Sequence, residues 1–123
     1  MASENEKIVN DFCKAWSRMN VDELLGFMTD DAVYHNIPME PAKGKAAIRE
    51  TINGFLKMAQ AFELKILKSA AAGDVVLNER MDYIQVGAKR VELPVVGVFE
   101  LGGGKISAWR DYFDLGTWQR QIQ

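Results

Sequence analysis

The hydrophobic pattern of the chain changes period near residue 60, and this change constrains the fold more than any other feature of the sequence. Before it, apolar residues recur every three or four positions, as on one face of a helix. After it, apolar and polar residues alternate, as in half-buried strands. Helices followed by consecutive strands with short turns predict an α+β fold in which those strands pair antiparallel.

Three helices are predicted in the first half of the chain, and two of them have capping residues at their start. Ser3 with Glu6, and Asn20 with Glu23, have the spacing of a capping box. The predicted elements of this half are helices at residues 4–19, 21–28 and 45–60 and one brief strand at 32–36.

The second half is predicted to be a meander of strands that ends in a short helix. The predicted strands cover residues 62–66, 75–86, 90–101 and 105–114, and the helix follows at 115–121. Helices packed on a strongly curved sheet would enclose a cavity. We therefore predict one domain, residues 1–123, with a cone-shaped, curved mixed β-sheet packed with N-terminal helices around a deep apolar pocket.

Composition excludes several classes of function. The 123 residues are 48% hydrophobic and 26% charged, which is typical of a globular domain that can bury a full core. A net charge of -2 gives no electrostatic reason to expect nucleic acid or an anionic membrane as partner. The single cysteine, Cys13, cannot form an internal disulfide, and the polar N-terminus has no apolar signal core. We expect a cytoplasmic protein.

One strand carries a guanidinium and a carboxylate on a face that is otherwise apolar. Arg80 and Asp82 are two residues apart, so they point to the same side of the strand as Val76, Ile84 and Val86. Burying an ion costs roughly several kcal/mol unless it is paired. From spacing alone, the commoner explanation is a structural ion pair or a sheet edge.

Two other strands also place polar groups where apolar ones are expected. Tyr34 and Asn36 share a face of the early strand, and Asp111 lies between Trp109 and Phe113 on one face of the last strand. The opposite face of that strand carries Ile106, Ala108, Arg110 and Tyr112. If the polar faces converge, an arginine could bridge two carboxylates of unequal protonation, which is a general acid–base arrangement.

Other kinds of site have little support in the sequence. His35 and Cys13 are single residues of their types, which argues against a zinc site, and no nucleophile-elbow pattern surrounds a serine. GGGK at 102–105 lacks the spacing of a phosphate loop and is better explained as a hairpin turn.

Three segments together resemble the limonene-1,2-epoxide hydrolase family: YHNIP at 34–38, ERMD at 79–82 and GVFEL…GKISAWRDYFD at 97–114. The resemblance covers nearly the whole chain in element order. It implies the cone-shaped α+β fold of nuclear transport factor 2 and ketosteroid isomerase, no cofactor, no metal and a homodimer. The partners it implies are a small epoxide and water.

The resemblance also implies a role for each polar residue. Asp111 would deprotonate a water that Tyr34 and Asn36 hold. Asp82 would protonate the epoxide oxygen, and Arg80 would orient both aspartates. The product would be a vicinal diol, formed in one step without a covalent intermediate. The positions that match the family's apolar pocket are Trp16, Phe55, Leu64, Leu93, Val95 and Phe113.

Two other functions stay open at this point. A ketosteroid isomerase-like or polyketide cyclase-like enzyme on the same fold would need only a base and an oxyanion donor. A non-catalytic ligand-binding module would tolerate conservative changes at Asp82 and Asp111. A covalent aspartyl-ester hydrolase is a minor third idea.

Overall fold

The computed structural model describes residues 3–123 and confirms the predicted order of helices before a run of strands. The helices are α1 (Glu4–Ala15), α2 (Val21–Leu25), α3 (Lys45–Met58) and α4 (Leu115–Ile122), with a short 3₁₀ turn at Trp16–Arg18. The strands are β1 (Met28–Asn36), β2 (Ala42–Lys43), β3 (Ala61–Ala72), β4 (Val75–Val86), β5 (Lys89–Gly102) and β6 (Lys105–Tyr112).

The six strands form one mixed sheet in the order β2-β1-β6-β5-β4-β3. Every neighbouring pair is antiparallel except β1 and β6, which run parallel. Register shifts interrupt three of the pairs, and such bulges bend and twist strands. The predicted α+β fold with a curved mixed sheet and N-terminal helices is confirmed.

The two predicted helix caps are both present. The side chain of Ser3 accepts a hydrogen bond from the backbone N–H of Glu6 at 3.0 Å, and Asn20 accepts one from Glu23 at 3.1 Å. A cap of this kind typically contributes about 1 kcal/mol to stability. Among residues 3–123, no helix is long and apolar enough to cross a membrane.

The boundary between α2 and β1 differs from the prediction. The helical pattern included Met28, but Met28 begins β1, which is four residues longer at its start than predicted. The cause is tertiary pairing, because Met28 lies opposite Ile106 of β6 and the backbone of Phe27 also bonds to Ile106. Sequence periodicity does not register such a non-local contact.

The predicted orientation of Ile106 is wrong. Simple alternation placed it on the face of Arg110 and Tyr112, but Ile106 is fully buried in the core that also contains Trp109. In the β5–β6 ladder Leu101 pairs with Ile106 and Glu100 pairs with Ala108, which leaves Ser107 as an extra residue. This bulge resets the alternation, so Trp109 and Asp111 still have their predicted orientation.

Aromatic side chains join helix α1 to the concave face of the sheet. Phe12 makes edge-to-face contacts with Trp109, at a centroid distance of 4.9 Å, and with Phe99 at 6.3 Å. Such pairs contribute about 0.5–1.5 kcal/mol beyond the area they bury. They hold α1 over one part of the sheet, and the space beside this cluster is the cavity described next.

Candidate active site

Arg80 lies at the centre of the site, with only 1% of its surface exposed. Its Nε and Nη2 donate to the two carboxylate oxygens of Asp82, both at 3.0 Å. Its Nη1 and Nη2 donate to the carboxylate of Asp111 at 3.1 and 2.8 Å. Nη1 also donates to Oδ1 of Asn78 at 3.0 Å. All five N–H donors of the guanidinium are thereby used, so its orientation is fixed.

The aligned register of three strands explains how Arg80 reaches Asp111. Asn78 of β4 lies opposite Gly97 of β5, and Gly97 lies opposite Asp111 of β6. A Cβ built on Gly97 would overlap Nη1 of Arg80 and Oδ1 of Asn78. The guanidinium therefore occupies the space that any side chain at this position would fill.

Asp111 accepts more hydrogen bonds than Asp82. Besides the two from Arg80, its Oδ1 accepts the indole N–H of Trp109 at 2.7 Å. It is 4% exposed. Three donors hold the buried Asp111 carboxylate in one orientation.

Asp82 has a different environment, although it is only 7% exposed. The hydrogen bonds it accepts in the described chain both come from Arg80. Burial raises its pKa, and the nearby Asp111 carboxylate adds to this, while Arg80 opposes both. For Arg80 itself, burial alone would lower the pKa, but the two carboxylates raise it well above its usual value. The surroundings of Asp82 therefore act against its charged form, whereas those of Arg80 act in favour of its charged form.

Tyr34 and Asn36 lie next to Asp111 because β1 runs parallel to β6. Asn36 is in register with Asp111, and Tyr34 is in register with Trp109. The Tyr34 hydroxyl donates to Oδ1 of Asn36 at 3.3 Å, and its ring stacks on Trp109 with centroids 4.1 Å apart. Burial, and next the Asp111 charge, raise the pKa of Tyr34 well above its usual value. Tyr34 is thus a neutral hydrogen-bonding group.

A cavity of about 570 Å³ opens onto these residues, and its walls are mainly apolar. Tyr34, Asn36, Asp82 and Asp111 reach its surface, whereas Arg80 lies behind them. All six residues predicted to line the pocket are in its wall: Trp16, Phe55, Leu64, Leu93, Val95 and Phe113. The prediction did not include α4, which contributes Leu115 and Trp118. The structure thus brings every predicted site residue to one place, and their roles remain predictions.

Sequence reasoning missed three residues that build the site: Asn78, Gly97 and Trp109. Asn78 is on the same strand face as Arg80 and Asp82, so alternation could have found it. The sequence indicates the hydrogen bond of Trp109 to Asp111 less clearly, since alternation shows only that the two residues share one strand face. The role of Gly97 depends on which strands pair and in what register, which periodicity alone does not give.

No metal-binding cluster is present within residues 3–123, since no three His, Cys, Asp or Glu side chains lie together suitably. Cys13 is buried and accepts a weak hydrogen bond from Asn78 at 3.8 Å. Burial raises the pKa of its thiol to about 12. It lies behind Asn78 and takes no direct part in the cavity wall.

Comparison with known proteins identifies the family of this chain. A family model described as the limonene-1,2-epoxide hydrolase catalytic domain matches residues 3–123. The chain belongs to the limonene-1,2-epoxide hydrolase family. It is also similar to a protein described as "Epoxide hydrolase EphG" from Mycobacterium tuberculosis (strain ATCC 25618 / H37Rv), with 36% identity over 110 residues, 87% of this chain and 71% of that protein.

Solved structures confirm the fold. The structure of an M. tuberculosis LEH-like epoxide hydrolase matches with a TM-score of 0.84 and 32% identity, over 97% of this chain and 92% of that one. An NTF2-like protein of unknown function from Burkholderia pseudomallei K96243 matches with a TM-score of 0.88 over 99% of both chains, but with 16% identity. The second likeness shows the shared fold alone. The family and its better-matched relatives support an epoxide hydrolase.

Proposed function

We propose that this member of the family adds water to a small hydrophobic epoxide, cyclic or terpene-like, to give a vicinal diol. The observation that carries the proposal is the Arg80 bridge, with carboxylates of unequal environment on either side and an apolar cavity in front. The M. tuberculosis relative, which is described as an epoxide hydrolase, supports the same reaction. The reaction proceeds in one step, by general acid–base catalysis.

Asp111 is the general base. A water molecule donates a hydrogen bond to its carboxylate and is positioned by Tyr34 and Asn36. The Tyr34 hydroxyl donates its proton to Oδ1 of Asn36, so the amide Nδ2 of Asn36 is the group of this pair that can donate to water, and the phenol oxygen can accept from it. As the water oxygen bonds to an epoxide carbon, its proton moves to Asp111. General base catalysis of this kind contributes about 10²–10⁴-fold in rate.

Asp82 is the general acid. Opening the ring breaks a C–O bond and leaves a strongly basic alkoxide, which needs a proton in the transition state. The raised pKa of Asp82 keeps that proton available. The electron pair of the broken bond stays on the oxygen that Asp82 protonates, so the product carries two hydroxyl groups and is inverted at the attacked carbon.

Arg80 balances the negative charge of the site both before and after this exchange. Before reaction the group contains one guanidinium, one carboxylate and one carboxylic acid; afterwards the two aspartates have exchanged states. The net charge of the buried group is zero in both cases, so no uncompensated ion forms in a low-dielectric site. The same guanidinium contacts both aspartates, which suits it to stabilise either state.

The walls of the cavity favour a compact apolar substrate. Aromatic and aliphatic side chains form most of the surface, and a volume of about 570 Å³ lies within the usual range of ligand pockets, roughly 300–1,000 Å³. Such walls exclude bulk water and strengthen the charge interactions around the reacting atoms. We further propose a cytoplasmic location, as the composition indicates, and a homodimer that uses no cofactor or metal, as the family resemblance implies.

Diol formation tests the proposal. Wild type and Asp111→Asn are compared on limonene oxide and cyclohexene oxide, with Asp31→Asn as a control because Asp31 is exposed. We expect diol from wild type and from the control, and a rate lower by about 10²–10⁴-fold in Asp111→Asn. A folded Asp111→Asn variant with the wild-type rate would refute the base assignment. Isomerisation of a ketosteroid without any diol would favour the proton-transfer alternative.

A further inference from the structure

Trp16 lines the cavity, and its buried indole N–H is a polar group that the catalytic arrangement does not use. Trp16 is only 2% exposed, and its Nε1 has no hydrogen-bond acceptor in the part of the chain that the structure describes. Buried tryptophans normally have a partner for this N–H, because an unmet buried donor is destabilising. An unpaired donor at this place therefore needs an explanation.

The neighbours of Trp16 inside the protein are aromatic rings. Phe12, Phe62 and Trp109 surround it at centroid distances of 6.4, 5.4 and 5.8 Å. None of these side chains has an oxygen, and the one polar atom of Trp109 is a donor already bound to Asp111. These rings offer the N–H no acceptor, and Trp16 also lines the cavity, so a ligand bound there is the source of an acceptor that we consider.

Two other buried polar atoms in residues 3–123 lack partners, Oδ1 of Asn10 and Oγ1 of Thr29. Neither residue lines the cavity. The contrast with Trp109 is also informative, since its indole N–H is a fixed part of the catalytic group whereas the N–H of Trp16, one ring away, is uncommitted. The unpaired donor that coincides with the cavity is that of Trp16.

We propose that Trp16 is a specificity-determining residue that binds a second oxygen of the substrate. The substrate class is then an oxygenated epoxide: a compact apolar skeleton with an epoxide and, in addition, a hydroxyl, carbonyl or ether oxygen that accepts the indole N–H. The short distance between the Trp16 and Trp109 rings puts this oxygen near the catalytic end of the cavity. This inference rests on the proposed epoxide hydrolysis.

A selectivity ratio tests the inference in the active enzyme. The values of kcat/KM are measured for limonene oxide and for its hydroxylated counterparts carveol oxide and perillyl alcohol oxide, which share its carbon skeleton. Trp16→Phe removes the N–H and keeps an aromatic ring. We expect the ratio of oxygenated to hydrocarbon kcat/KM to fall by roughly three- to tenfold in this variant for at least one of the two alcohols.

The matched control is Trp118→Phe, which removes another indole N–H from the same cavity wall, but from a half-buried position. We expect its selectivity ratio to stay within about twofold of wild type, less than the effect of one hydrogen bond. If the ratio of oxygenated to hydrocarbon kcat/KM is the same in wild type and Trp16→Phe for both alcohols, the inference is overturned. The N–H would then contact only the aromatic rings around it. Absence of diol from every epoxide would instead count against the proposed function.

Ligands that contain no epoxide provide a second test, independent of turnover. Limonene and carveol differ by one hydroxyl group, and each is titrated into ¹⁵N-labelled wild-type protein. We expect carveol, and not limonene, to move the Trp16 indole proton resonance downfield. Identical shifts with the two ligands would contradict the inference. Assignment uses the resonance missing from the spectrum of Trp16→Phe.

Discussion

Gly97 lies directly opposite Asp111 in the β5–β6 ladder, and its missing side chain is the reason that Arg80 can contact Asp111. Arg80 comes from β4, so its guanidinium must pass over β5 to reach β6. The two carboxylates of the site are thus joined across three strands by one side chain. The relative placement of Asp82 and Asp111 depends on this gap.

Gly97→Ala should therefore damage both stability and activity. The added Cβ would meet Arg80, Asn78 and the ring of Phe99 at distances that real side chains do not adopt. Overpacking of this kind costs about 1–3 kcal/mol, and displacement of Arg80 should lower kcat by at least about tenfold. Gly102→Ala on the same strand is the control, since its Cβ would meet nothing within 4 Å. Equal Tm and kcat in the two variants would show that the gap has no role.

Arg80→Ala should destabilise the protein by about 3–5 kcal/mol, because it removes the partner of two buried carboxylates. Arg110→Ala is the matched control. Arg110 pairs with Glu100 in a half-exposed position, and such surface pairs contribute about 0–1 kcal/mol. Chemical denaturation at neutral pH measures both changes in the free energy of unfolding. A loss from Arg80→Ala no larger than that from Arg110→Ala would mean that the bridge is not a buried charge cluster.

The raised pKa of Asp82 gives a signature in the pH dependence of stability. Between its unfolded and folded pKa values the folded state binds more protons, so the free energy of unfolding falls as pH rises through that window. Asp82→Asn cannot titrate, so the Tm of the variant minus that of wild type should increase as pH rises above the ordinary aspartate pKa of 3.8. A difference that stays constant or decreases over this range would contradict the assignment of Asp82 as a buried neutral acid. The same group should make wild-type kcat/KM fall towards alkaline pH.

The sequence was sufficient to predict the order of elements and the strand faces of the polar site residues, because both depend on local patterns. Alternation along one strand placed Arg80 and Asp82 on the inner face, and the same rule placed Asp111. The rule failed at Ile106, where a bulge at Ser107 shifts the register. A bulge is set by pairing with neighbouring strands, and the sequence of one strand does not contain that information.

The parts of the site that could not be predicted are relationships between strands. In the sequence, Gly97 is one of several residues on the apolar face of its strand. Only the strand register shows that it lies between Asn78 and Asp111. Likewise the wall formed by α4 depends on where the last helix packs. Gln121 holds that helix through hydrogen bonds with the backbone of Glu92, a contact between residues far apart in the chain.

A single turnover in H₂¹⁸O, with enzyme in excess over epoxide, tests the proposed mechanism. If water activated by Asp111 attacks the epoxide carbon directly, the diol from the first turnover should carry one ¹⁸O atom from solvent. A covalent ester mechanism would transfer an oxygen of an aspartate carboxylate instead. A first-turnover diol that contains only ¹⁶O would contradict direct attack by water. In that case the aspartate of an enzyme labelled with ¹⁸O during earlier turnovers should pass its label to the diol formed in ordinary water.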